Sequence, residues 1–70
     1  MNIKDQQIDH RITQIIPHID IYELRAIPAI SEAIVEFHAA ADIDTRHRAF
    51  QKITMLTECV AAGMKIANNN

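Results

Sequence analysis

The stretch ADIDT, residues 41 to 45, separates two long segments of helical periodicity and holds Asp42, Asp44 and Thr45, all residues suited to capping a helix. Each can accept a backbone N–H that the first turn of a helix leaves unpaired, so a helix begins here, with Asp44 as the favoured cap. A connection this short folds the segments on either side into an antiparallel hairpin. The fold class follows: a small all-α bundle of three helices, or four if Pro28 splits the second.

Downstream of the turn, the spacing predicts a helix over 45–67, with the tail 68–70 (NNN) frayed. Phe50, Ile53, Leu56, Val60 and Met64 form its principal apolar face, roughly 120° wide. Met55, Cys59, Ala62 and Ile66, at spacings of four, three and four, form a second stripe. Two coverings are open to it. Segments one and two can flank the third helix from different sides, or a second copy of the chain can lie against it.

Two features favour the second copy. A chain of 70 residues buries only about 60% of the surface of its unfolded form, which leaves a lone fold marginal. Gly63, the only glycine, sits inside the helix, where it costs about 1 kcal/mol relative to Ala. Close approach of another backbone would offset that cost, and a two-fold homodimer is the commonest source of one. The expected dimer interface is therefore Met55, Cys59, Ala62, Gly63 and Ile66.

Upstream of the turn, a second helix spans 21–41, broken or kinked at Pro28. Asp20, with Glu23 three residues on, matches a capping box at its start. Ile27, Ile30, Ile34, Phe37 and Ala41 form a 3-4-3-4 seam, Glu32 and Glu36 mark the wet side, and His38 lies at the margin. The first helix covers about 3–16, ended by Pro17. Ile8, Ile12, Ile15, Ile16 and Ile19 make its stripe, with His10, Gln14 and His18 pointing away.

Composition narrows the chemistry. Seven Lys and Arg against nine Asp and Glu make a mildly acidic chain, unlike a general nucleic-acid binder. The opening residues are polar and lack the apolar core of a secretion signal, and no run approaches the eighteen or so apolar residues that cross a bilayer. The expectation is a cytoplasmic protein without membrane contact. Cys59 is the sole cysteine, so an intrachain disulfide is impossible, and no basic residue stands beside it to activate the thiol. The four histidines lack HxxxH or HExxH spacing, and the aspartates near residue 42 lack the glycine and distal acid of a calcium loop. No cofactor, metal or enzymatic activity is expected.

What remains is binding. Glu32 and Glu36 offer an acidic face, and Tyr22 and Val35, with Met55, an apolar remainder for a protein partner. The expected function is a non-enzymatic, homodimeric regulator or inhibitor acting by stoichiometric binding. An alternative is a nucleic-acid-associated regulator that uses Arg46, Arg48 and Lys52 at the start of the third helix, although the first residues of that cluster project in different directions.

Overall fold

A computed structural model describes the backbone of residues 3–68 and the side chains of residues 3–64. Among the described residues the chain is all-α: α1 (Ile3–Ile15), α2 (Ile21–Arg25), α3 (Pro28–Ala39) and α4 (Ile43–Asn68). The side chain of Ile66 and the tail beyond Asn68 lie outside the described residues.

Local chemistry sets each boundary. Pro17 stops α1, although Ile16 N still donates to Ile12 O at 2.8 Å. Asp20 Oδ1 accepts from Tyr22 N at 2.9 Å and caps α2. Pro28 splits the second segment rather than kinking it. It occupies the first helical position of α3, where its missing N–H costs nothing, and Ile27 turns extended ahead of it. Ala40 is extended too, so α3 ends two residues before Ala41, the expected last member of the seam, which is exposed.

The start of α4 is earlier than the sequence reading placed it. Arg46 N donates to Asp42 O at 3.1 Å, so the first turn opens at Asp42 rather than Asp44. The two aspartates share the same capping chemistry, and Asp42 follows the extended Ala40 more closely. Asp44 falls inside the first turn, where a carboxylate still favours the positive end of the helix dipole.

Side-chain contacts fix the directions. Glu36 meets Lys52, so α3 and α4 form the antiparallel hairpin. Asp5 meets His38, while Arg11 meets Thr54 and the Phe50 ring, so α1 runs against α3 and alongside α4 in the same sense. Between them lies a core of Ile8, Ile12 and Ile16 from α1 and its end, Leu24 from α2, Ile30, Ala33, Ile34 and Phe37 from α3, and Ala49 and Ile53 from α4. Thr57 is wholly buried among these apolar groups, and its hydroxyl donates to Ile53 O at 2.8 Å, which satisfies it within its own helix.

Helix lengths do not match. The 26 residues of α4 span about 39 Å, against about 20 Å for the 13 of α1 and 18 Å for the 12 of α3. The molecule is accordingly drawn out, 43 by 22 by 18 Å. Its surface of 5001 Å² exceeds the roughly 4,400 Å² usual for a 7.9 kDa monomer. Met64, expected on the buried face, is exposed because α4 has outrun its partners.

Truncation should separate core from periphery. Ile53→Ala removes a fully buried side chain and should cost about 2–5 kcal/mol in urea unfolding at fixed chain concentration. Val35→Ala, on the outer side of α3, should stay within about 0.5 kcal/mol. Equal effects at the two positions would contradict this packing.

Candidate functional site

On α4, Ile53, Thr57 and Val60 point into the bundle. At 100° per residue, Met55, Cys59 and Ala62 lie about 160° away from them. Both α1 and α3 pack on the inner side, so among the described residues nothing covers the outer one. Met55 is 65% exposed, and Cys59, Ala62 and Gly63 are exposed with it. A Cβ built on Gly63 would meet no atom within 4 Å beyond its chain neighbours and the backbone of its own helix. Of the two coverings open to the second stripe, burial within the chain is therefore excluded for these four residues. Beyond them, residues 59–64 (CVAAGM) carry no charge on any face. A helix that is apolar all round is ordinarily buried.

The other partner-binding candidates are not brought together. Tyr22 is 85% exposed on α2, beside an open groove of about 350 Å³ that it shares with Asp5, Asp9, Ile21 and Arg25. Val35 is exposed on the outer side of α3, and Met55 borders a different groove, with Arg11, Phe50 and Thr54. Glu32 is exposed near Val35, but Glu36 pairs with Lys52 at 3.3 Å. The acidic face therefore holds one uncompensated carboxylate where the sequence reading expected two.

The same pairing takes Lys52 out of the basic cluster. Arg48 and Lys52 border a groove by the hairpin turn together with Glu36 and Asp42, which offset their charge. Arg46 is separated from both. It sits half-buried between α1 and α4, in a groove with Gln7, Phe37 and Phe50. No stripe of phosphate-spaced cations results.

One constellation was missed in the sequence. Arg25 Nη2 donates to Asp9 Oδ1 at 2.6 Å, with Nε at 3.1 Å from the same oxygen, and lies 3.6 Å from Asp5 Oδ1. His38 Nε2 is 2.8 Å from that Asp5 oxygen. The four side chains, each a quarter to a third exposed, fasten α1 to α2 and α3 along the rim of the core. Asp5 and Asp9 are four residues apart on one side of α1, which was the available signal. Nothing in the sequence named their partners, because Arg25 and His38 reach them only through the tertiary fold. Among the described residues no group of three or more His, Cys, Asp and Glu gathers as a metal site, and no helix is long and apolar enough to cross a membrane.

The chain matches no protein-family model, no curated protein and no solved structure with which it was compared. The surfaces themselves carry the functional reading.

The rim cluster and the hairpin pair should differ in worth. Arg25→Ala leaves Asp9 without its charge-assisted bonds and should cost about 1–2 kcal/mol in thermal or urea unfolding. Lys52→Ala breaks an exposed pair at 3.3 Å and should cost less than about 0.5 kcal/mol. The reverse ranking would mean that the rim cluster does not hold the helices together.

Proposed function

We propose that this chain is a non-enzymatic interaction module of the cytoplasm, a homodimer that regulates or inhibits a partner protein by stoichiometric binding. The observation that carries the reading is the outer side of α4, where Met55, Cys59 and Ala62 are exposed opposite the core, with exposed Gly63 at their edge. Such a surface is poorly suited to a solitary protomer, and its lack of bulk suits the close approach of a second helix.

Area sets the expected strength. Stable interfaces bury about 800 Å² per partner, more than one narrow stripe on a few helical turns supplies. The dimer is accordingly modest and dissociates on dilution, which suits a protein that exchanges partners.

Light scattering across chain concentrations should give twice the protomer mass at high concentration and the protomer mass at low. Gly63→Leu discriminates by sign. In a lone protomer the added side chain meets nothing, and a better helix former should raise stability by up to about 1 kcal/mol. Against a close partner helix it should abolish the dimer and lower the thermal midpoint. A variant that keeps wild-type mass and melts higher removes the stripe as an interface. Recovery of a bound protein from the native cell, lost on Met55→Glu, tests the regulatory half of the reading.

A further inference from the structure

A groove in two adjoining parts lies between α1 and α4, on the side of the bundle away from the Asp5–Arg25 cluster. Its first part, about 270 Å³, is lined by Gln7, Phe37, Ile43, Arg46, His47 and Phe50. Its second part, about 460 Å³, shares His47 and Phe50 and continues past Arg11 and Thr54 to Met55. The floor is apolar: Phe37 and Phe50 meet with ring centroids 5.8 Å apart, flanked by Ile43, which is 76% exposed, and by Met55.

The rim is cationic and unbalanced. No Asp or Glu lines either part. The Nε of Arg46 is buried and has no hydrogen-bond partner, although a buried donor left unpaired is costly. Arg11 stacks its guanidinium over Phe50, 6.0 Å from the ring centroid, and donates only to the Thr54 hydroxyl at 3.4 Å. On the other side of α1, by contrast, Arg25 of α2 meets two aspartates. In a chain of net charge −2, two arginines without acids around one aromatic floor stand apart.

We propose that this groove binds a short amphipathic helix of a partner protein, seating its apolar residues on Phe50 and Ile43 and its carboxylates on Arg46 and Arg11. From Ile43 to Thr54 the groove follows about 17 Å of α4, room for roughly three turns of such a helix. Charge complementarity selects an acidic occupant. A nucleic acid fits less well, because two arginines over an aliphatic and aromatic floor do not track a phosphate backbone. The inference rests on the reading of the chain as a protein-interaction module and names the surface that it uses.

The test is a titration of the isotope-labelled protein, followed by NMR. The probe is a synthetic helical peptide of about 14 residues, with leucines along one stripe and glutamates beside it. Its glutamine counterpart and a short DNA duplex serve as the other two arms. The acidic peptide should bind, shift the Arg46 Nε–Hε signal and the amides of Gln7, His47 and Phe50, and bind about ten-fold more tightly than the glutamine peptide. Arg46→Gln and Arg11→Gln should each weaken it by about ten-fold, and Glu32→Gln should leave it unchanged. The proposal is overturned if both peptides bind equally, if the duplex alone perturbs the groove, or if no arm binds at about 1 mM. Light scattering on the same samples keeps the two readings apart. A dimer that ignores the acidic peptide sinks the groove alone, and a monomer that binds it sinks the dimer alone.

Discussion

A helix of 26 residues packed against neighbours of 13 and 12 leaves a remainder that the rest of the molecule has to accommodate. Over its first five turns α4 has α1 on one flank and α3 on the other, and it buries Ala49, Ile53 and Thr57 between them. Past Ala61 the flanks fall away while the apolar sequence continues. The outer side around Met55 and Cys59 is bare because α1 and α3 both pack on the inner one, and the mismatch adds the drawn-out shape and the exposure of Met64 on what would otherwise be a core position. It also concentrates the unsolved part of the packing in one place. Hydrophobic burial is the main favourable term in folding, and a small core leaves little margin for greasy surface kept in water.

Polar groups divide the protomer into two unlike sides. Along α1, one side carries Asp5 and Asp9, which are met by Arg25 and His38 and so hold α2 and α3 in place. The other carries Gln7 and Arg11, which face Arg46 and His47 of α4 with no acid between them. A side with its charges matched is finished as a structure. A side with arginines that no acid answers is suited to receive something.

Much of this was legible in the residues. Proline and aspartate are punctuation with a mechanism: Pro17 cannot follow a helical residue comfortably, Asp20 supplies an acceptor for a free N–H, and Pro28 starts a helix more easily than it continues one. The isoleucine stripe of α1 gave the core positions Ile8, Ile12 and Ile16 because its period leaves one face only. Thr57 escaped notice because its hydroxyl reads as polar, whereas in a helix it can bond to the carbonyl four residues back and be buried without penalty. Leu24 and Ala33 were missed for a related reason: a five-residue helix has too little periodicity to show, and alanine is buried or exposed according to its neighbours. The rim cluster and the Glu36–Lys52 pair depend on contacts 16 to 33 residues apart in sequence, which single-chain spacing does not encode.

The central claim is that the outer side of α4 is covered by a second copy of the chain, and Cys59 reports on it directly, since its thiol is exposed on that side in the protomer. The deciding measurement is the rate at which a small thiol reagent modifies Cys59 in folded protein across a range of chain concentrations. Protection should grow with concentration and half-saturate where the solution mass doubles. A rate that stays fast and constant while the protein remains folded would contradict the account.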